Sequence, residues 1–179
     1  MDKVGIISGD GNLPLHIGKT LEKKGFSVTF LILNTVQNKK IYENVNSINI
    51  KIISIKKIIN ILKNNQIKKI VFAGGIRRPS INELGFDFET LKLAKKLLLE
   101  EKGDNNLLVA IKNYLEEKGF IFFNWTKYCP ELFVSDTNLS TTKPSSFAKK
   151  NLLKAQTIYQ QFKKIDVGQS MIIQNQLVL

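Results

Sequence analysis

Two glycine-containing turns carry residue types suited to binding an oxyanion. The first turn follows a short apolar segment and consists of Gly9, Asp10, Gly11, Asn12 and Leu13. The second follows another apolar segment and consists of Gly74, Gly75, Ile76, Arg77 and Arg78. Glycine lets a backbone turn sharply and bring its N–H groups to a phosphate, and paired guanidinium groups make directional bonds that lysine cannot copy. Together the two turns predict a binding site for a diphosphate. The alternative is that the arginine pair covers a loop and binds no ligand.

The first turn is not a standard nucleotide fingerprint. Pro14 occupies the third glycine position of the dinucleotide motif, and the second strand ends at Leu33-Asn34 without an acid for a ribose hydroxyl. A Gly-Lys-Thr occurs at Gly18-Lys19-Thr20, but it lies inside the predicted first helix and Leu13 stands where the Walker pattern needs its first glycine, so that pattern is incomplete. Asp10 therefore has two interpretations, a residue that satisfies the backbone of its turn or a ligand for a divalent ion or a ribose.

Other candidate residues give weaker signals. Asp104 lies at a helix break and is either a ligand-side carboxylate or the N-cap of the next helix. His16 has no serine or cysteine partner at a recognisable spacing, which favours a core or surface histidine over a base. Cys129 lacks the neighbours of a catalytic thiol, and no zinc-binding spacing occurs.

Apolar segments alternate with helical patterns along the first part of the chain. The predicted strands are Lys3–Ile7, Ser27–Leu33, Ile48–Ile53, Lys68–Ala73 and Gly119–Phe123. The predicted helices are Leu13–Lys24, Ile55–Asn64 after a Ser54 cap, Phe88–Glu101 and Asn105–Lys118. This order predicts an α/β, Rossmann-like fold with a mainly parallel sheet, helices on both faces and ligands at the carboxyl ends of the strands.

The second part of the chain predicts a different organisation. We expect an N-terminal ligand-binding domain at 1–129, a linker at 130–146 rich in Ser, Thr and Pro, and the start of a second α/β domain at 147–179. A last helix would run to Lys164 and be followed by strands at 171–173 and 177–179. Because the chain stops on an apolar strand with an unpaired edge, we expect this second domain to be incomplete.

Composition and charge limit the classes of partner. The chain has 179 residues, of which 43% are hydrophobic and 23% charged, as in folded proteins. A single cysteine, no signal peptide and no long apolar run predict a cytoplasmic protein that does not span a membrane. The net charge is +12, but only two of the 27 basic residues are arginines and the lysines are dispersed, which argues against a nucleic-acid patch. The diffuse positive field instead favours a phosphorylated substrate or peripheral contact with an anionic membrane surface.

Four motifs in order along the chain resemble a known family. They are Ile6 to Pro14, Phe72 to Pro79, Gly103-Asp104, and Asp166 to Gln169. Together they are similar to the LpxI type of UDP-2,3-diacylglucosamine pyrophosphatase. Ser8 and Asp10 depart from the glycine or alanine usual there. The family also has a further C-terminal segment, absent from this sequence, with the aspartate thought to act in catalysis.

The resemblance implies a two-domain cytoplasmic enzyme of lipid A biosynthesis that is peripheral on the inner membrane and uses Mg²⁺. A homodimer is compatible with this resemblance. The enzyme would hydrolyse UDP-2,3-diacylglucosamine to UMP and 2,3-diacylglucosamine 1-phosphate. The two glycine turns, Asp104 and Gln169 would bind substrate, the catalytic residues stay unassigned, and activity of this chain alone would be impaired. A nicotinamide-nucleotide oxidoreductase and a non-catalytic sugar-nucleotide-binding module are the alternatives.

Overall fold

The computed structural model describes residues 1–51, 54–76, 87, 90, 104–134, 141–162 and 170–179, without the side chains of 104–107. These residues form two compact units, Met1–Phe133 and Val134–Leu179. No helix among them is long and apolar enough to cross a membrane.

A five-stranded parallel sheet organises the first unit. Its strands are β1 (Lys3–Ser8), β2 (Ser27–Leu33), β3 (Ser47–Ile50), β4 (Lys69–Ala73) and β5 (Ile121–Phe122), in the spatial order β3-β2-β1-β4-β5. The described helices are α1 (Leu13–Lys23), α2 (Ile55–Asn64) and α3 (Asp104–Glu117). The predicted Rossmann-like α/β class is confirmed. Continuous apolar runs form the central strands because helices cover both faces of a parallel sheet.

Small residues let the helices approach the two faces of the sheet. Gly18 of α1 lies so close to Phe30 of β2 that an added Cβ would be 2.1 Å from the ring. On the opposite face, a Cβ on Gly5 of β1 would meet Leu62 of α2 at 3.0 Å. The Ser54 hydroxyl caps α2 by accepting a bond from the Lys57 N–H at 3.1 Å, as the sequence predicts.

Several predicted boundaries differ from the structure. β3 starts one residue earlier than predicted and ends at Ile50, and residues 52–53 of the predicted strand lie outside the described residues. The predicted helix Phe88–Glu101 also lies outside them, apart from Thr90. Two short 3-10 helices, Thr126–Tyr128 and Pro130–Leu132, close the first unit, so an ordered turn occupies the start of the predicted linker.

The second unit contains one helix and one hairpin. These are α4 (Ser146–Phe162) and the antiparallel strands β6 (Ile173–Gln174) and β7 (Leu177–Val178). Asn175 and Gln176 have φ values of 52° and 62°, as in the two-residue turns that match the twist of a hairpin. No described residue of α4 is buried. Large apolar side chains of this unit are exposed: Phe147, Leu152, Leu153, Tyr159, Ile172, Leu177, Val178 and Leu179.

An ion pair at the amino end of the sheet gives a pH-dependent prediction. The Asp2 carboxylate pairs with Lys69, whose hydrogen bond and charge lower the pKa of Asp2. A lowered folded-state pKa stabilises the fold above the ordinary aspartate pKa of about 3.9, and this contribution is lost as the pH falls through the folded pKa. Asp2→Asn should therefore melt at a lower temperature than the parent chain at pH 7, and the difference should shrink as the pH falls below the ordinary aspartate pKa. Equal melting temperatures at pH 7 would show that the pair contributes nothing.

Candidate functional site

The two glycine turns meet at the point where the sheet reverses its winding direction. β1 and β4 are neighbours, β2 and β3 continue on one side, and β5 continues on the other. In open α/β sheets, ligands bind outside the carboxyl ends of the strands at such a switch point. The turns after β1 and β4 are the two loops that flank it. The structure therefore brings together the predicted residues of both turns that lie within the described part of the chain.

Backbone hydrogen bonds join the two turns directly. The Asp10 N–H donates to the Gly75 carbonyl at 2.7 Å, and the Gly75 N–H donates to the Asp10 carbonyl at 2.8 Å. The Gly9 N–H donates to the Ala73 carbonyl at 2.8 Å. We call this connection the loop bridge. The N–H groups of Gly9, Asp10 and Gly75 in the predicted diphosphate site are therefore hydrogen-bonded within the protein and do not face a ligand.

The loop bridge explains why positions 9 and 74 are occupied by glycine. A Cβ on Gly9 would lie 2.3 Å from the Gly75 carbonyl oxygen. A Cβ on Gly74 would lie 2.7 Å from the Asp10 carbonyl oxygen, and Gly74 has a φ of +91° that side chains disfavour. These positions need glycine so that one backbone can reach the other.

The start of α1 supplies the amides that remain for a ligand. The first N–H groups of a helix have no partner within it, and the Asn12 side chain does not cap them. Pro14 lies in the first turn, where its missing N–H is harmless. Around Gly11, which has a φ of +92°, a Cβ would meet nothing within 4 Å. This helix end can accept an anion because its N–H groups and dipole both favour negative charge.

Asp10 orients a third segment at the same edge. Its Oδ1 accepts a hydrogen bond from the Gln37 N–H at 2.7 Å. The carboxylate therefore satisfies a backbone group, as one interpretation predicts, but in the connection after β2 and not in its own turn. Asp10 thus ties the end of β2 to the end of β1.

Three buried polar atoms at this edge have no hydrogen-bond partner within 3.5 Å among the described residues. They are the side-chain oxygen of the half-buried Asn34 and the hydroxyls of Thr35 and Tyr42, and Tyr42 is only 1% exposed. Burial raises the pKa of Tyr42, the Asp10 carboxylate adds to the rise, and the Ser8 hydroxyl opposes it. Ser8 donates its own hydrogen bond to the Ile6 carbonyl at 3.1 Å. The Tyr42 phenol therefore stays protonated, with the Ser8 hydroxyl as its nearest polar neighbour.

Sequence reasoning did not identify these polar residues. They lie in the connection between β2 and β3, where Asn34 and Thr35 follow the strand and Tyr42 ends a short 3-10 helix, Lys39–Tyr42, too short to show a periodicity. The available signal was Tyr42, a large aromatic residue in a segment that is mostly polar apart from Val36, Ile41 and Val45. Its ring packs against Phe30 of β2 at a centroid distance of 5.5 Å, which fixes the hydroxyl at the sheet edge.

Other predicted site residues have no described side chain. Arg77, Arg78 and Gln169 lie outside the described residues, and Asp104 is the first residue of α3 with a side chain that is not described. Ile76 is exposed. Their predicted roles stay predictions.

Magnesium requires oxygen ligands in near-octahedral geometry. Around the loop bridge, the described part of the chain gathers no group of three residues able to hold a metal ion. Asp10 already uses one oxygen for Gln37. The magnesium requirement remains a prediction.

The opposite end of the sheet has a depression of about 310 Å³ lined partly by lysines. Two of these lysines have partners within the fold. Lys3 donates to the Asn65 carbonyl at 2.9 Å, and Lys69 pairs with Asp2. This end lies at the amino ends of the strands, so it is not the candidate site.

His16 lies one turn into α1 with a half-exposed side chain, as a surface histidine should. The sequence indicated no partner for it, but its Nε2 lies 2.6 Å from the Glu131 Oε1. This hydrogen bond lowers the pKa of Glu131. The histidine is therefore held by the 3-10 turn that closes the first unit.

Comparison with known proteins agrees with the motifs. Residues 3–132 match the family model of the LpxI N-terminal domain. The UDP-2,3-diacylglucosamine pyrophosphatase LpxI of Caulobacter vibrioides is 24% identical over 180 aligned positions, which cover 100% of this chain and 64% of that protein. The chain thus spans less than two thirds of the length of this relative.

A solved structure of a UDP-glucose-4-epimerase from Stenotrophomonas maltophila, with bound NAD and formylated UDP-arabinopyranose, has 13% identity and a TM-score of 0.42. The alignment covers 92% of this chain and 49% of the epimerase. The matched residues of the family model, by contrast, contain the whole five-stranded sheet and the loop bridge. The resemblance seen in the motifs is confirmed, and the chain belongs to the family of the LpxI N-terminal domain.

Proposed function

We propose that the chain binds UDP-linked, twice-acylated glucosamine at the switch point and takes part in its hydrolysis to UMP and 2,3-diacylglucosamine 1-phosphate. The observation that carries the proposal is the uncapped α1 N-terminus, which follows directly on the loop bridge at the switch point, with the buried Tyr42 hydroxyl close to Ser8 at the end of β1 and to Asp10 of the turn that follows. A helix N-terminus suits a phosphate, and a buried polar group without a partner suits a polar ligand. The family membership and the name of the Caulobacter relative support this substrate class.

The reaction places clear demands on the binding residues. A water oxygen adds to the α-phosphorus, the bond to the bridging oxygen breaks, and the sugar phosphate leaves while UMP is released. Negative charge builds on the nonbridging oxygens during this step. The α1 amides and the predicted Arg77-Arg78 pair would stabilise that charge. The proposal assigns no residue of this chain to the activation of water.

The acyl chains of such a substrate would remain in a lipid surface. We therefore place the chain at the cytoplasmic face of the membrane, in peripheral contact with it. The net charge of +12 supports this placement because a positive field attracts anionic headgroups.

Two binding titrations and one activity assay test the proposal. The purified chain is titrated with UDP and separately with NAD, and UMP release from UDP-2,3-diacylglucosamine is measured with saturating Mg²⁺. UDP binding with UMP release supports the full proposal. UDP binding without release would limit the chain to a sugar-nucleotide-binding module. Binding of NAD without a response to UDP would overturn the proposal in favour of an oxidoreductase.

The arginine pair gives a quantitative prediction. Charge-assisted hydrogen bonds to a phosphate contribute about 1.5–3 kcal/mol each, so Arg77→Ala or Arg78→Ala should weaken UDP binding about 10- to 100-fold. Lys68→Ala is the matched control because Lys68 is exposed just before β4, at the opposite end of the strand. Calorimetry should show less than about a twofold change for the control. Equal losses in the arginine and lysine variants would mean that only net charge matters.

A further inference from the structure

The only histidine and the only cysteine of the chain meet in the folded protein. His16 lies on α1, and Cys129 lies between the two 3-10 helices that close the first unit. Glu131 joins them from the second of these helices. One donor atom from each residue, the imidazole nitrogen, the thiol sulfur and a carboxylate oxygen, lies within 4.8 Å of the other two.

We propose that His16, Cys129 and Glu131 bind a Zn²⁺ ion. Nitrogen, sulfur and carboxylate oxygen are the three donor types that zinc takes in proteins, whereas Mg²⁺ and Ca²⁺ take oxygen ligands. Three protein ligands leave a fourth tetrahedral position for water. The half-exposed His16 and Glu131 side chains leave that position accessible to solvent.

The geometry needs only small side-chain adjustments. Zinc bonds of about 2.0–2.3 Å in a tetrahedron separate neighbouring donor atoms by about 3.5 Å. The His16–Glu131 contact of 2.6 Å would open, and the longer separations in the group would close. The backbone around the sulfur is fixed, because Cys129 is fully buried and its N–H and carbonyl bond to Thr126 and Leu132 at 3.3 Å and 3.2 Å.

Proton release accompanies binding at this site. Zinc displaces the thiol proton to solvent as the Zn–S bond forms, so the affinity should rise with pH.

Cobalt titration of the chain without a histidine tag tests the proposal. Co²⁺ replaces Zn²⁺ in such sites, and a sulfur-to-cobalt charge-transfer band can arise only from Cys129, since the chain has no other cysteine. We expect the band to saturate at one Co²⁺ per chain and to disappear when Zn²⁺ is added. Cys129→Ser should abolish the band, and His16→Gln or Glu131→Gln should weaken Co²⁺ binding by about 10- to 100-fold or more.

Glu22→Gln is the matched control because Glu22 is an exposed carboxylate on the same helix as His16. It should bind Co²⁺ like the parent chain. The signal of the single imidazole in NMR spectra should also shift on Zn²⁺ addition in the parent and in Glu22→Gln. Absence of the charge-transfer band, its survival in Cys129→Ser, or equal affinities of Glu131→Gln and Glu22→Gln would overturn the proposal. If Cys129→Ser fails to fold, the variants at the half-exposed His16 and Glu131 decide the question.

Discussion

Gly74→Ala is expected to lower the free energy of unfolding by about 3 kcal/mol or more. The substitution adds a Cβ 2.7 Å from the Asp10 carbonyl oxygen and places alanine at a φ of +91°. The strained backbone costs about 1–3 kcal/mol, and overpacking against an adjacent backbone costs a similar amount. Relief of the clash would require the two turns to separate, which breaks the loop bridge. We therefore also expect UDP binding to fall below detection.

Gly75→Ala is the matched control for this prediction. Its φ lies outside the left-handed region, and the nearest atom to an added Cβ is the Asp10 Cβ at 4.0 Å, an ordinary contact. Urea unfolding should show a change of less than about 1 kcal/mol for Gly75→Ala. If both variants unfold at the same urea concentration, the close approach of the turns does not determine the stability of this edge.

Tyr42→Phe is expected to separate stability from binding. The Tyr42 hydroxyl is buried without a partner among the described residues, and such a group costs about 1–3 kcal/mol. Its removal should leave the free energy of unfolding unchanged or raise it by about 1 kcal/mol. UDP binding should weaken roughly 5- to 10-fold through the loss of one hydrogen bond. Tyr42→Ala should instead destabilise the fold by about 3–5 kcal/mol, because it also removes the ring that packs on Phe30.

Tyr159→Phe controls for the loss of a tyrosine hydroxyl, since Tyr159 is exposed on α4. Urea unfolding and UDP calorimetry on the three variants distinguish the outcomes. A loss of about 1 kcal/mol in Tyr42→Phe would show that the hydroxyl is bonded within the fold. Unchanged UDP binding would remove Tyr42 from the site.

The sheet could be predicted because its evidence is local. The apolar runs of β1, β2 and β4 indicate strands buried on both faces, and Ser54 indicates the start of α2. β3 was harder to bound because its apolar alternation continues past Ile50 in the sequence while its pairing with β2 stops there. The local sequence pattern indicates that a segment favours a strand, but hydrogen-bond pairing with the neighbouring strand determines the residue at which the strand ends.

The site was predictable only in part. Glycine and helix patterns located the two turns at one edge, but the loop bridge joins residues far apart in the chain, and no local rule gives that register. The same holds for His16 and Cys129, which show no metal-binding spacing in the sequence and come together only when the last turns of the first unit pack on α1. Tyr42 packs against Phe30 of β2, a contact that the short 3-10 segment around it does not reveal.

The loop bridge also affects when conformational entropy is lost. Turns of glycine and small polar residues have many accessible conformations in the unfolded chain, and ordering each residue costs about 1–2 kcal/mol. Here the bridge between Asp10 and Gly75 orders the described residues of both turns through hydrogen bonds within the chain. A phosphate that arrives at the start of α1 therefore meets a preorganised surface, and its binding energy is not consumed in closing the turns.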